Sequence, residues 1–394
     1  MAQAGRGGKG AAGGRGAGEC DGAVTEGDGE ALMVQDGAMP NRLEITTNRG
    51  LEELVVQEFM RRAAAVGIAG ATGTCRPHGL AGWASVEAEA SVAELQALGL
   101  GLRSAHHVVR PVHRFVLDRG DPLGHVQREL AGLEIAELAP EGVSFRVTSQ
   151  RSGTHAFTSE DVQRVAGAGV RDRAWRAVSL GAFDVEVRVD VRGDEVLVGV
   201  QLTRQALSRR HARPYLPHMS LAANVAWALL HLARPEAGRP PRALLDPFCG
   251  GGTILLEALA LWPGIAVCGS DTSEKSVAGA RANLAAAGLV GEVREGDARA
   301  VGAVWGERRF DTVVSNPPFG ERLGPNMNFA TLFGELLDGL CAVTTADARV
   351  ALLVHKRGAF NHALRARPAW AVRHARVIEL GGLHPAVIVL DRVG

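Results

Sequence analysis

Three acidic residues and one run of glycines have the spacing of a cofactor site. Asp246 ends an apolar segment, and Cys249-Gly-Gly-Gly252 follows it closely. Asp271 ends a second apolar segment about 20 residues beyond the glycines, and Asp297 follows a third. Glycines let a backbone approach a ligand, and a carboxylate at this offset accepts hydrogen bonds from a ribose. Each acid alone is typical of a turn or a helix cap, but the set predicts a nucleotide-like ligand.

The segment Asn316-Pro-Pro-Phe319 follows a fourth apolar segment, Thr312–Ser315. Two prolines remove backbone donors and stiffen the turn, so its carbonyl groups are free to accept hydrogen bonds. The Asn316 side chain adds an acceptor, and Phe319 offers a flat face on which a base can stack. A rigid proline turn with a buried Phe is the structural alternative. At this strand end the tetrad predicts a site that holds an exocyclic amine, with the nitrogen lone pair directed at an electrophile.

Strands alternate with helices from Ala243 onward, which is typical of a mostly parallel sheet covered on both faces. The predicted strands are Ala243–Leu245, Ala266–Gly269, Val293–Glu295, Thr312–Ser315, Arg349–Val354 and Ala386–Leu390. The fold class is therefore α/β. We expect a Rossmann-like, doubly wound catalytic domain over residues 242–394.

The amino-terminal half predicts an α+β region of small elements. Strands are expected at Leu43–Thr47, Trp83–Glu87, Val108–Val116, Val143–Thr148 and in a hairpin of Val185–Val191 with Val196–Leu202. Helices are expected at Leu51–Met60, at Val92–Leu98, after a Ser159 cap, and at Ser220–Ala233. We expect two units, 41–117 and 118–213, a helical linker over 214–241, and a disordered Gly/Ala/Arg-rich tail over 1–40.

Composition excludes several classes of protein. The 394 residues are 46% hydrophobic, yet no apolar run approaches the roughly 20 residues of a membrane helix. We expect a soluble, cytoplasmic protein with no membrane partner. The five cysteines are scattered without a CxxC pair, which argues against a disulfide framework and against a zinc site. The formal charge is zero, so a polyanionic partner must be sought in local charge.

The stretch Asp246-Pro-Phe-Cys-Gly-Gly-Gly-Thr253, with the tetrad, resembles class I S-adenosylmethionine-dependent amino-methyltransferases. In the other half, Thr47–Leu54 resembles the opening of THUMP-containing RNA methyltransferases, and Phe145–Ser159 resembles the signature of their THUMP module. The junction of Leu207–Arg213 with Leu221–Asn224 is similar as well. The likeness covers about residues 42–394. It is closest to the group that forms N2-methylguanosine at position six of the tRNA acceptor stem.

This resemblance implies a ferredoxin-like domain over 41–117, a THUMP domain over 118–213, and S-adenosylmethionine as the cofactor. Catalytic roles fall on Asn316, Pro317 and Phe319. The cofactor contacts fall on Asp246, Phe248, Gly250, Gly252, Thr253, Asp271, Asp297 and Asn316. Gly251 stands where Ser or Thr is more usual, a change that we expect cofactor binding to tolerate. RNA is the implied partner, tRNA first, with a small activating subunit if the source is eukaryotic.

Local charge agrees with an RNA partner, because no acidic residue lies between Glu195 and Glu236. A basic stripe of this kind contacts phosphates, although a solvated face of an Arg-rich protein is the alternative. The candidate RNA-binding residues are Arg146, Arg151, Arg204, Arg209, Arg210 and Arg213.

Other readings of the chain remain open at this point. Within the same chemistry, the target is alternatively guanosine ten of tRNA, ribosomal RNA or a spliceosomal RNA. A DNA amino-methyltransferase predicts a target-recognition domain instead of a THUMP-like half, and a glutamine-directed protein methyltransferase needs no RNA clamp. A non-catalytic RNA-binding protein has no use for intact Asp246, Gly250 and Asn316.

Overall fold

The computed structural model describes residues 41–133, 144–174, 181–217, 220–234, 238–320 and 328–393. The predicted tail, 1–40, lies outside the described residues, as does part of the predicted linker. In the described parts of the chain, no helix has both the length and the apolar character needed to span a bilayer.

The amino-terminal half forms one mixed sheet of eight strands in the order β2-β3-β1-β4-β8-β7-β5, with β6 paired to β7. These strands are β1 (Arg42–Thr46), β2 (Thr72–Cys75), β3 (Trp83–Glu87), β4 (His107–Val116), β5 (Phe145–Thr148), β6 (Arg151–Ser152), β7 (Val185–Arg192) and β8 (Glu195–Gln201). Strand β4 pairs antiparallel with β8, with Val109 opposite Gln201. The two predicted α+β units therefore share one sheet.

The described residues of this half also form the helices α1 (Glu52–Ala65), α2 (Val92–Leu100), α3 (Pro122–Gly132) and α4 (Ser159–Ala174). The start of α4 corrects the sequence expectation that Ser159 is the cap. Thr158 Oγ1 accepts from the Asp161 backbone N–H at 3.1 Å, and the Asp161 carboxylate accepts from the Thr158 backbone N–H at 2.9 Å. This reciprocal pair satisfies two backbone donors that the helix itself leaves open, so Thr158 holds the helix start.

The carboxyl-terminal half forms a seven-stranded sheet in the order β11-β10-β9-β12-β13-β15-β14. Its strands are β9 (Ala243–Asp246), β10 (Ala266–Asp271), β11 (Glu292–Glu295), β12 (Phe310–Ser315), β13 (Thr344–Val354), β14 (Trp370–Val377) and β15 (Ala386–Arg392). Its helices are α5 (Ala223–Ala233), α6 (Thr253–Leu261), α7 (Glu274–Ala286), α8 (Val301–Trp305), α9 (Phe329–Val343) and α10 (Arg357–Arg365). The first five strands of the order are parallel, and β15 is antiparallel. The predicted α/β class is confirmed.

The strand order creates the place for a ligand. Strand β9 lies between β10 and β12, so the chain moves outward from β9 in one direction and later in the other. Ligands of open α/β sheets bind outside the carboxyl ends of the strands at such a reversal point. Asp246 and Asp271 end β9 and β10, and Asn316 follows β12. The groups predicted from the sequence therefore share one edge.

Helix α5 is a core element instead of the linker that the sequence suggested. Trp227 and Leu229 are fully buried, and they belong to the same apolar cluster as Leu244 of β9 and Val314 of β12. Burying side chains of this size stabilises the packed state by roughly 1.5–3 kcal/mol each. We propose that the catalytic unit includes this helix.

A buried carboxylate connects the two halves of the molecule. Glu257 of α6 is fully buried. It accepts hydrogen bonds from Arg103 Nη1 at 2.7 Å, from Arg210 Nη1 at 3.0 Å and from a ring nitrogen of His211 at 2.6 Å. Arg103 follows α2, whereas Arg210 and His211 follow the amino-terminal sheet, so one catalytic helix holds the other half in three places.

Removing this carboxylate should destabilise the whole chain. We expect Glu257→Gln to lower the free energy of unfolding by about 3 kcal/mol, because the two arginines then lack their counter-charge in a largely desolvated seam. Urea denaturation followed by circular dichroism measures this loss. Glu335→Gln is the matched control on an exposed helix position, with an expected change within about 0.5 kcal/mol. Equal unfolding midpoints for the two variants contradict a stabilising role for the seam.

Candidate active site

One side-chain hydrogen bond joins the carboxyl ends of β9 and β12. Ser315 Oγ donates to Asp246 Oδ1 at 2.5 Å, and both residues are buried. The Phe248 backbone N–H donates to the same carboxylate oxygen at 3.1 Å. Because Asn316 is the residue after Ser315, this bond fixes the beginning of the tetrad beside the carboxylate predicted to hold the cofactor.

The Asp246 carboxyl lies in an environment that disfavours its charge. Burial raises the pKa of Asp246 to about 7, although the hydrogen bonds from Ser315 and Phe248 oppose that rise. The negative charge of Asp271 raises it further. No basic residue in the described part of the chain forms an ion pair with Asp246. A buried carboxyl without a counter-ion is suited to a ligand that brings a positive charge.

The glycine loop approaches the second carboxylate. Asp271 Oδ2 accepts from the Gly250 backbone N–H at 3.0 Å, and its Oδ1 accepts from Ser273 N–H at 2.9 Å. Gly250 has φ +50° and Gly252 has φ +76°, a conformation that glycine adopts without steric cost. A Cβ placed on Gly250 meets no protein atom within 4 Å. The loop is thus held from one side and open on the other.

The segment 213–217 crosses this loop, and the sequence did not indicate it. Asn283 of α7 accepts from Tyr215 N–H at 2.9 Å and donates to the Tyr215 and Gly251 carbonyls at 2.7 and 2.8 Å. A Cβ on Gly251 lies only 3.0 Å from Pro217 Cδ. The unusual glycine at position 251 therefore makes room for the crossing segment, which we call the strap (residues 213–217).

Two of the predicted RNA-binding arginines have partners within the protein. Arg213 Nη1 donates to Thr253 Oγ1 at 2.8 Å and to Ser220 Oγ at 2.9 Å, so both the arginine and the Thr253 hydroxyl are engaged within the protein. Arg210 is bound to Glu257 and to the Leu207 carbonyl. Charge counting along the sequence assigned these two residues to RNA because it does not reveal distant partners.

The other four predicted RNA-binding residues lie on the amino-terminal half. Arg146 pairs with Glu186 at 2.8 Å, and Arg151 donates to the Gly153 carbonyl. Arg204 is exposed, 3.8 Å from an Asp184 oxygen, and Arg209 is exposed after β8. Arg204 and Arg209 are the most accessible of the six.

The third predicted acid is occupied by a neighbour. Asp297 follows β11 and accepts from the Arg299 backbone N–H at 2.9 Å and from its guanidinium at 2.5 Å. The hydrogen bonds from Arg299 hold the pKa of Asp297 below its usual range. Asp297 therefore lies at the predicted edge but shares its carboxylate with an exposed arginine.

The tetrad places an unpartnered acceptor and an aromatic ring beside one residue that the sequence did not indicate. Asn316 Oδ1 is buried and has no hydrogen-bond partner in the described structure. Pro317 is buried next to it. The Phe319 ring stacks on His355, with ring centroids 5.1 Å apart and an angle of 26° between planes. His355 follows β13, and no sequence signal connected it with the tetrad.

Comparison with known proteins places this site in a family. The THUMP domain family matches residues 131–201, and the RMKL-like methyltransferase domain family matches residues 210–386. The chain is 39% identical over 353 residues to tRNA (guanine(6)-N2)-methyltransferase of Thermus thermophilus, which covers 89% of this chain and 99% of the relative. The chain belongs to the THUMP-containing RNA (guanine-N2)-methyltransferase family.

Other relatives and solved structures agree with this membership. Human tRNA (guanine(6)-N(2))-methyltransferase THUMP3 is 30% identical over 69% of this chain, which spans only 56% of the human protein. The crystal structure of TrmN from Thermus thermophilus superposes with a TM-score of 0.74 at 38% identity, covering 89% of this chain and 99% of that one. SMU.472, a putative methyltransferase complexed with SAH, shares the fold with a TM-score of 0.68 at 17% identity over 90% of this chain and 98% of that one.

The enzyme uses S-adenosylmethionine, and the residues at the sheet edge fit this cofactor. The molecule carries a sulfonium, an amino acid and a ribose. Asp246, which has a raised pKa and no basic partner among the described residues, can face positive charge, while Asp271 beside the positive-φ glycines can accept from hydroxyl groups. We propose these contacts, with Phe248, Gly250 and Gly252, as the cofactor site.

Cofactor affinity should depend on pH through Asp246. If the ionised carboxylate is the binding form, lowering the pH below 7 costs binding, and the Kd at pH 6 should be roughly tenfold higher than at pH 8. Isothermal titration with S-adenosylmethionine at both pH values measures this ratio. The Asp246→Asn variant controls for titration of the ligand itself. Its Kd at pH 8 should be higher than that of wild type, and it should lack the roughly tenfold change in Kd between pH 8 and pH 6. A wild-type ratio equal to that of the variant contradicts the assignment.

Proposed function

We propose that this enzyme methylates the N2 amino group of guanosine in tRNA, at position six of the acceptor stem. The observation that carries the proposal is the Ser315–Asp246 hydrogen bond, which joins the amine-binding tetrad to the cofactor edge. Identity of 39% over nearly the whole length of a tRNA (guanine(6)-N2)-methyltransferase supports the choice of base and position. The similarity includes the amino-terminal half, to which we assign the RNA contacts.

The tetrad is suited to an aromatic amine. The Asn316 side-chain oxygen is unpartnered in the described structure, and a proline-rich turn leaves carbonyl groups without internal donors. We propose that Asn316 Oδ1 and the Pro317 carbonyl accept the two N2 hydrogens of the base. Hydrogen bonds of this kind favour a pyramidal nitrogen, so the lone pair is less conjugated with the ring.

Phe319 holds the base plane from one side. His355 covers one face of the Phe319 ring. The other face of the ring is left for a guanine that has been turned out of the stem. Base–aromatic stacking is worth roughly 1–3 kcal/mol. S-Adenosylmethionine, when bound, supplies the methyl group on a sulfonium. A strong general base is unnecessary, because the methylated ammonium is acidic and loses its proton afterwards.

The amino-terminal half supplies the RNA contacts in this proposal. We propose residues 118–213 as the THUMP domain, with Arg146, Arg151, Arg204 and Arg209 as phosphate contacts, whereas Arg210 and Arg213 bind Glu257 and Thr253 of the catalytic helix α6. THUMP-type clamping reads the shape of the acceptor end more than its sequence. A U6 snRNA (guanine-N(2))-methyltransferase of human is 30% identical over only 49% of this chain, so a spliceosomal target is the weaker candidate.

Nucleoside mass spectrometry tests the proposal. An unmodified tRNA transcript with guanosine at position six, incubated with the purified chain and S-adenosylmethionine, should gain N2-methylguanosine at that position. The same transcript with adenosine at position six should gain none. Activity of the chain alone also shows that no activating subunit is required. Methylation of the control transcript to the same extent, or of DNA instead of tRNA, contradicts the proposed target.

A further inference from the structure

One segment of the catalytic unit is basic in a protein whose formal charge is zero. Between Asp347 and Glu379 the sequence contains no acidic residue. This segment includes the end of β13, helix α10 and strand β14. The glycine loop and the tetrad both precede this segment in the chain, so neither motif explains its lack of acidic residues.

Several basic residues of this segment have carboxylate partners. Arg349 and Arg373 both pair with Asp391, Arg367 pairs with Asp338, and Arg376 pairs with Glu53. Lys356, Arg357 and Arg365 are exposed and form no ion pair within the described part of the chain. Helix α10 and the Lys356 before it therefore carry positive charge that no described carboxylate neutralises.

The charged face of α10 is fixed by the packing of its other face. Phe360 and Ala363 are buried, and the Phe360 ring meets Phe333 of α9 edge-on at 5.2 Å. Arg357 and Arg365 lie eight residues apart on the exposed side, which places them about 12 Å apart along the axis. A rigid helix with this spacing can contact more than one phosphate of a strand.

This helix begins beside the amine site. Strand β13 pairs parallel with β12, with Leu352 opposite Ser315. His355, which stacks on Phe319, directly precedes Lys356 and the first turn of α10. The unneutralised charge therefore starts at the carboxyl edge where a base enters, and far along the chain from the THUMP region.

We propose that Lys356, Arg357 and Arg365 form a phosphate-binding face that holds the RNA strand next to the methylated guanosine. This rests on the proposed RNA substrate, and it adds a second contact surface on the catalytic unit. A base turned out of a stem must carry its flanking phosphates to the mouth of the pocket. Contacts to those phosphates fix the nucleotide without reading its sequence.

Paired charge-removal variants test this face. The test variant carries both Arg357→Gln and Arg365→Gln. The control variant carries both Arg239→Gln and Arg309→Gln. The control arginines are also exposed, and they precede β9 and β12, away from the start of α10 beside Phe319. Fluorescence anisotropy with an unmodified tRNA transcript gives Kd at several salt concentrations. Steady-state methylation gives KM and kcat, and thermal melting checks the fold.

The α10 double variant should bind tRNA about tenfold more weakly. Its plot of log affinity against log salt should be shallower, with the magnitude of the slope reduced by roughly 1.5 to 2, as expected for two lost phosphate contacts. KM for tRNA should rise by a similar factor, with kcat within about twofold of wild type and the Kd for cofactor unchanged. The control double variant should match wild type. Equal weakening in both doubles, or in neither, overturns the proposal.

Failure of this inference is distinguishable from failure of the proposed function. Anisotropy measures binding without methyl transfer, so a wrong methylation target leaves the comparison of the two doubles valid. If wild type binds tRNA but methylates none, the proposed function fails. The α10 face is then still tested by the tRNA Kd values of the two double variants.

Discussion

The hydrogen bond from Ser315 to Asp246 is the constraint on which the site depends. It joins the ends of two neighbouring parallel strands, one of which leads into the glycine loop and the other into the diproline turn. Because both residues are buried, the bond is shielded from water and cannot be exchanged without disturbing the sheet. The distance between the end of β9 and the diproline turn is thus set by the β-sheet itself.

The contacts around this edge connect the two halves of the enzyme. The strap contacts the glycine loop through Asn283 and Arg213, and it begins where the chain leaves the amino-terminal sheet. Behind it, Glu257 holds residues from both halves. A second polar cluster adds Asn48, whose side-chain oxygen accepts from Asn224 at 2.8 Å and bonds with His106 at 2.9 Å. The amino-terminal half is therefore in physical contact with the glycine loop of the catalytic half through the strap.

Much of the catalytic fold could be predicted from the sequence, since strands of a covered parallel sheet are apolar on both faces. All six residues of β12 are buried, for example. Strand β14 was not predicted, because several of its residues are exposed and its apolar residues do not alternate regularly with polar ones. Strand β2 was missed as well, since its four residues Thr72–Cys75 carry little apolar character.

The site was partly predictable for the same reason. Acids, glycines and the diproline tetrad next to strand ends are local signals, so the sequence could place Asp246, Asp271 and Asn316 at one edge of the sheet. Residues that act through distant partners could not. The hydrogen bond between Arg210 and Glu257 spans 47 positions, and local charge gave no sign of it. His355 likewise meets Phe319 only because β13 and β12 are neighbours in the sheet.

The most direct measurement of the central claim is single-turnover methylation of tRNA by Asn316→Ala, with the Kd for S-adenosylmethionine measured in parallel. If Asn316 orients the amine at the cofactor edge, the rate should fall at least about 100-fold, while the cofactor Kd stays within about threefold. Asn316→Asp keeps an acceptor oxygen in place and should retain more of the rate. An alanine variant that transfers methyl groups as fast as wild type contradicts the account.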